Sequence, residues 1–164
     1  MILAAGRGER LAPLTDVTPK PLIKLAGKAL IEHHLLALKQ AGVTQVTVNV
    51  AHLGNQIVDY LNRSCPQGLE ITFSHEPPGA LETAGGIHKA LDLIQSDPFV
   101  VINADVWTDF PFSTLPDTIE SDAHLVLVPN PPHHPDGDFV LHDNTVQMKR
   151  TELSALTYSG IGLY

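Results

Sequence analysis

The sequence predicts an α/β fold of three layers, with helices on both faces of a mostly parallel sheet, and three observations carry that expectation. Apolar runs alternate with helical patterns along most of the chain. The runs at Gln45–Val50 and Phe99–Asn103 are dense in valine and isoleucine, as strands buried on both faces should be. The unusual polar and glycine-rich segments each follow such a run, where open α/β sheets bind ligands beyond the carboxyl ends of their strands.

Met1–Ala5 reads as a short buried strand. In Ala29–Gln40 the residues Leu30, Ile31, His34, Leu35 and Leu38 share one helical face, and Gly42 stops the helix. Gln45–Val50 is a strand through Val46, Val48 and Val50, and Gly54–Arg63 a short helix carrying Ile57, Val58 and Leu61. Leu69–Phe73 reads as a strand, Ala84–Gln95 as a helix, and Phe99–Asn103 and Leu125–Val128 as strands. After Pro129, three prolines interrupt the chain around His133-His134, and this segment reads as a loop over a ligand site. Phe139–Val146 alternates, with Asp143-Asn144 turning a hairpin, and Thr157–Tyr164 begins a further strand near the sheet edge, poorly covered.

A chain of 164 residues with 43% hydrophobic content can bury a real core in one domain, and a disordered chain is excluded. A net charge of −8 disfavours non-specific binding to nucleic acid or membrane. No apolar run reaches bilayer length, and Arg7, Glu9 and Arg10 interrupt the apolar start that a signal peptide would need. The single cysteine, Cys65, excludes an intrachain disulfide and a cysteine metal cluster, and the cytoplasm is the expected compartment. His33-His34 and His133-His134 lack zinc-site spacing and read as packing or surface residues.

The first two dozen residues concentrate the chemistry. Leu3-Ala4-Ala5 runs into Gly6-Arg7-Gly8-Glu9-Arg10, followed by Pro13-Leu14-Thr15 and Pro19-Lys20-Pro21-Leu22. Glycines let backbone N–H groups close on an anion, and Arg10 and Lys20 add full positive charge beside them. Arg7, Arg10, Lys20 and Lys24 gather cations that an acidic chain needs in order to hold a triphosphate. A P-loop is excluded because no Lys-Ser or Lys-Thr follows the glycines. A dinucleotide fingerprint is disfavoured because Leu11 stands where it needs glycine or alanine. Asp105, two residues past the strand ending at Asn103, can hold Mg²⁺ against triphosphate oxygens, or it can cap a turn. Glu76 can accept a hydrogen bond from a base N–H, and Glu82 can serve as an acid at a helix start.

Together, G-x-G-x-R, P-L-T and P-K-P-L resemble the signature of the sugar-phosphate nucleotidyltransferases, and Leu81–Gly86 is similar to that family's L-G-T-A-G segment, with Glu82 in place of glycine. The resemblance covers nearly the whole chain. It implies a Rossmann-like sandwich of the nucleotide-diphospho-sugar transferase type and transfer of a nucleotidyl group to a sugar 1-phosphate with Mg²⁺. It implies nucleotide binding by Ala5, Gly6, Gly8, Glu9, Arg10, Lys20, Glu76 and Gly85, sugar binding by Asn103, Gly137 and Glu152, and catalytic roles for Arg10, Lys20 and Asp105, the last as metal ligand. Val48–Gly54, Asn103–Asp109 and His133-His134 before Gly137-Asp138-Phe139 are similar to the branch that uses UTP and N-acetylmuramate 1-phosphate in cell-wall recycling. Mannose-1-phosphate guanylyltransferases share much of that frame. Two departures stand out: Ala104 replaces the glycine before the metal aspartate, and no V-D-x-G-T segment with the family's second metal aspartate is present. The expectation is a single nucleotidyltransferase domain over residues 1–164, without that C-terminal segment, that binds nucleotide but turns over poorly by itself. A non-catalytic nucleotide-binding module and a dinucleotide-dependent oxidoreductase are the alternatives.

Overall fold

The computed structural model describes residues 1–77, 79, 81–148 and 154–164. Ten strands and four α-helices are numbered in chain order: β1 Ile2–Leu3, α1 Leu14–Val17, β2 Lys24–Leu25, β3 Lys28–Ala29, α2 Leu30–Gln40, β4 Gln45–Val50, α3 Gly54–Ser64, β5 Glu70–His75, α4 Glu82–Ala90, β6 Val100–Asn103, β7 His124–Val128, β8 Phe139–His142, β9 Thr145–Met148 and β10 Thr157–Leu163.

Six of the strands form one sheet in the order β5-β4-β1-β6-β10-β7. β1 runs parallel to both β4 and β6, and β4 parallel to β5. β10 is antiparallel to β6 and to β7. The sheet is therefore mostly parallel on the β1 side and turns mixed at β10. Because the chain leaves β1 toward β4 and later returns to β6 on the other flank, the loops after β1 and β6 diverge and open a crevice between them.

Side chains alternate across the sheet and divide the core in two. Ile2, Val48, Ile102 and Ile161 point into one layer with Ile31, Leu35 and Leu38 of α2 and Ile57 and Leu61 of α3. Met1 and Val101 point the other way, onto Ala90 of α4, with Leu3, Ile87, Phe99 and Tyr164 packed around them. These are the three layers the sequence predicts. In α2 the buried residues Ile31, His34, Leu35 and Leu38 follow the helical period, and burial holds the His34 imidazole pKa below its ordinary value. The helix stops as expected at Gly42, whose φ of 89° lets its N–H reach Lys39 O and the next N–H reach Leu38 O.

Several expectations are corrected. β1 pairs over only two residues, so Ala4 and Ala5 already belong to the loop. The helix expected at Ala84–Gln95 begins earlier, spans Glu82–Ala90 and tightens into a 3₁₀ turn at Leu91–Leu93. β10 lies between β6 and β7, and Gly160–Leu163 are buried, because β7 covers its outer edge and Ile161 enters the main core. The Phe139–Val146 hairpin forms as β8 and β9, with Asp143 and Asn144 at φ 48° and 59° as a tight two-residue turn needs. A second hairpin, β2–β3, turns through Ala26 and Gly27 and was not apparent from periodicity.

Ile102 is fully buried at the centre of the sheet. Ile102→Ala is expected to cost about 2–5 kcal/mol of unfolding free energy in urea titrations. A loss below about 1 kcal/mol would place it outside the close-packed layer.

Candidate functional site

A cleft of about 860 Å³ opens at the carboxyl ends of β1, β4 and β6. Ala5, Gly6, Gly8, Glu9, Lys20, Glu76, Asn103 and Asp105 all line it, so most of the residues singled out from sequence converge. The others lie elsewhere. Arg10 sits exposed in a 3₁₀ turn, Glu9–Leu11, and is not part of the lining, whereas Arg7 is. Lys24 is exposed on the β2–β3 hairpin and Gly85 lies within α4, both away from the lining. Gly137 is buried outside the lining, where an added Cβ would come within 2.7 Å of Asn130 Oδ1 and 2.9 Å of the Ala155 backbone. Glu152 lies outside the described residues. The described part of the proline segment does not reach the cleft: Asn130 ties it back to Pro135, Ala155 and Thr157.

One wall is the loop from Ala4 to Lys20. Gly8 has φ 68°, and a Cβ there would meet Thr15 and Lys20 side chains at 3.2 and 3.3 Å, so glycine satisfies both the backbone and the space. Thr15 Oγ1 donates to Gly8 O at 3.0 Å, closing the loop on itself. The next wall fixes it from outside: His52 Nε2–H donates to Thr15 O at 2.9 Å, and Gln56 Nε2 to Val17 O at 3.2 Å. Arg7 pairs with Asp16 at 3.4 Å, with both side chains about half exposed, an arrangement worth little in stability and easily given up to a ligand.

Across the cleft, Asp105 follows β6. Lys20 Nζ donates to Asp105 Oδ2 at 2.5 Å, joining the glycine loop to the end of β6. Both side chains keep solvent contact, so the pair holds a cation and a carboxylate at the cleft surface ready for other partners. An exposed carboxylate beside a triphosphate-sized cleft suits magnesium, which takes oxygen ligands and retains water and phosphate in its shell. Among the described residues no three His, Cys, Asp or Glu side chains gather around one point.

The third wall is α4 with the segment before it. Asn49, at the end of β4 and 3% exposed, stands in the Val48–Gly54 segment but was given no role of its own from sequence. Its Oδ1 accepts from Ala4 N at 2.7 Å, and its Nδ2 donates to Glu76 Oε1 at 2.7 Å. Glu76 Oε2 accepts from Leu81 N at 2.9 Å. The available signal was the asparagine itself, since a polar side chain in an otherwise valine-rich central strand must find partners. Glu82 opens α4 as an acid in its first turn, as its position suggested.

The sequence matches the nucleotidyl transferase family over residues 1–139. The N-acetylmuramate alpha-1-phosphate uridylyltransferase of Neisseria meningitidis serogroup B is 54% identical over 100% of this chain and 74% of its own length. The mannose-1-phosphate guanylyltransferase catalytic subunit beta of Drosophila melanogaster is 42% identical over 70% of this chain, which spans 32% of that protein. Among solved structures, HddC of Yersinia pseudotuberculosis complexed with GMP-PN superposes with a TM-score of 0.78 at 24% identity, covering 99% of this chain and 74% of that one, a likeness of fold.

A Cβ on Gly86 would fall 2.6 Å from Glu76 Oε1 and 2.8 Å from Asn49 Nδ2, whereas one on Gly6 would meet nothing within 4 Å. Gly86→Ala is therefore expected to cost about 1–3 kcal/mol of stability by overpacking the Asn49–Glu76 contact, against an effect within about 0.5 kcal/mol for Gly6→Ala. Equal effects in parallel urea titrations would mean that Gly86 is not held against that pair.

Proposed function

The chain belongs to the nucleotidyl transferase family, and we propose that it makes a UDP-sugar and pyrophosphate from UTP and a sugar 1-phosphate, N-acetylmuramate 1-phosphate by preference, in the cytoplasm with Mg²⁺. The observation that carries the substrate assignment is the 54% identity running the full length of the chain, against the shorter and lower match to the guanylyltransferase. The cleft suits the chemistry: a glycine loop, a lysine and a strand-end carboxylate meet at one junction.

In this reading Gly6, Gly8 and Glu9 hold the triphosphate through backbone N–H groups, with Ala5 at the entry to the loop. A phosphate oxygen of the sugar 1-phosphate attacks the α-phosphorus. The new P–O bond forms as the bond from the α-phosphorus to the bridging oxygen breaks, and that electron pair leaves with pyrophosphate. Lys20 moves from Asp105 onto oxygens of the α-phosphate and the incoming phosphate, holding two anions together in line. Bound to Asp105, Mg²⁺ would neutralise triphosphate charge. Arg10 offsets charge on the departing pyrophosphate from the outer end of the loop, with Arg7 closer to the cleft. Asn103, at the end of β6, faces the sugar from the cleft lining.

The test is pyrophosphate release with Mg²⁺, UTP or GTP, and a panel of sugar 1-phosphates. UTP with N-acetylmuramate 1-phosphate is expected to give the highest kcat/KM. Higher turnover with GTP and mannose 1-phosphate would move the chain to the guanylyltransferase reading, and nucleotide binding without release would leave a binding module.

Lys20→Ala and Arg10→Ala are each expected to lower pyrophosphate release about a hundredfold or more with the melting temperature retained, since each removes charge that acts on the transition state. Near-normal release by Arg10→Ala would transfer the leaving-group role to Arg7.

A further inference from the structure

We propose that Asn49 and Glu76 form a clamp that sets the distance between the two walls of the cleft, so that Glu76 governs nucleotide affinity by positioning Leu81 and does not read the base. The inference rests on the reading of the cleft as a nucleotide site and deepens it. Three hydrogen bonds run in series across the cleft floor: Ala4 N to Asn49 Oδ1, Asn49 Nδ2 to Glu76 Oε1, and Leu81 N to Glu76 Oε2. Ala4 is the first residue of the loop that forms one wall, and Leu81 is the residue on which α4 begins. The chain of bonds therefore ties the origin of one wall to the origin of the other.

The donor and acceptor pattern is tightly specified. Asparagine presents one acceptor to Ala4 and one donor pair to Glu76, and a carboxylate presents the two acceptors that Asn49 and Leu81 require. Gly86 seals the arrangement, because any side chain there would fall on Glu76 Oε1 and Asn49 Nδ2. A group with both oxygens committed to the protein is placed to hold the wall, and the neighbouring backbone is left to meet the ligand.

The pattern has one rearrangement that conserves it. Glu76→Gln alone leaves either Asn49 or Leu81 facing an NH₂ group. Asn49→Asp alone sets two carboxylates against each other. Combined, the introduced aspartate accepts from Ala4 and from the introduced amide, whose oxygen accepts from Leu81, and every donor regains an acceptor. Total charge is unchanged.

The experiment measures amide hydrogen exchange at Ala4 and Leu81, and the Kd of UTP and of GTP with Mg²⁺, in the wild type, both single variants and the double variant. Each single variant is expected to speed exchange at one or both amides and to weaken both nucleotides by the same factor, about tenfold or more, since Glu76→Gln leaves a donor without its acceptor and Asn49→Asp forces two carboxylates together. The double variant is expected to return exchange and affinity to within about threefold of wild type, as coupled pairs do in mutant cycles. A shift of the UTP to GTP ratio in Glu76→Gln would overturn the proposal by making Glu76 a base reader. A double variant no better than the worse single would overturn it by denying the coupling, and so would wild-type exchange in both singles. If either single variant fails to fold, the double variant decides alone: native exchange at both amides supports the clamp, and an unfolded chain refutes it. A wild type that binds neither nucleotide would fail the nucleotide reading, and the exchange rates would still judge the clamp.

Discussion

The cleft depends on one departure from sheet pairing. β1 and β4 are in register at Leu3 and Asn49, and there the backbone ladder between them ends. The next N–H on the β1 side, that of Ala4, is taken by the side chain of Asn49 in place of a backbone carbonyl. On the opposite flank pairing continues one step further, with Ala104 N donating to Leu3 O. β1 is thus released from β4 before it is released from β6, and the glycine loop departs across the end of β4. A buried N–H without a partner would cost about 1–3 kcal/mol, so the asparagine is what makes this early release tolerable. The rest of the site follows from where that loop is delivered.

Electrostatics add a second constraint. The chain carries a net charge of −8, yet Arg7 and Lys20 line the cleft within one loop. Each has an acidic partner that is easily exchanged: Asp16 for Arg7 and Asp105 for Lys20, none of the four side chains being buried. Exposed ion pairs contribute little to stability, so the cations can turn to an anionic ligand at small cost while remaining preordered beside the glycine loop.

Strongly periodic elements were legible in the sequence, and most of the residues singled out for the candidate site line the cleft. α2 announces itself by Ile31, Leu35 and Leu38 and by Gly42. β4 and β6 read as buried strands, and Asp143-Asn144 as a turn, because each depends on local chemistry. What escaped depends on contacts distant in sequence. The cover over Gly160–Leu163 comes from β7 and from the core around Ile161, which no local pattern reports. Arg10 is an exception, since it falls outside the lining through a local 3₁₀ turn, Glu9–Leu11, while Arg7, three residues earlier, lies in it. The role of Asn49 was hidden by distance: its partners, Ala4 and Glu76, are 45 and 27 positions away.

The same long-range contacts explain why α4 exists. Its sequence is poor for a helix. Gly85 and Gly86 stand in a helix of nine residues, and each glycine costs about 1 kcal/mol relative to alanine. The first residue, Glu82, has φ 58°, a left-handed conformation that L residues adopt at a cost. No side chain of the residue before the helix caps it. Local propensity therefore does not hold this wall; the bond from Leu81 N to Glu76, and Ile87 and Ala90 packed on the second apolar cluster, do. An alanine at position 86 would favour the helix intrinsically and destroy the contact that anchors it, so the glycine is retained against its own propensity. A wall held at its origin by one carboxylate and at its far end by packing has its weakest span between the two, at Glu82, Thr83 and Gly85. Of these, Glu82 and Thr83 face the cleft. Local opening is easiest where few apolar contacts are lost, so that span is the part of the cleft able to adjust to a ligand without disturbing the sheet.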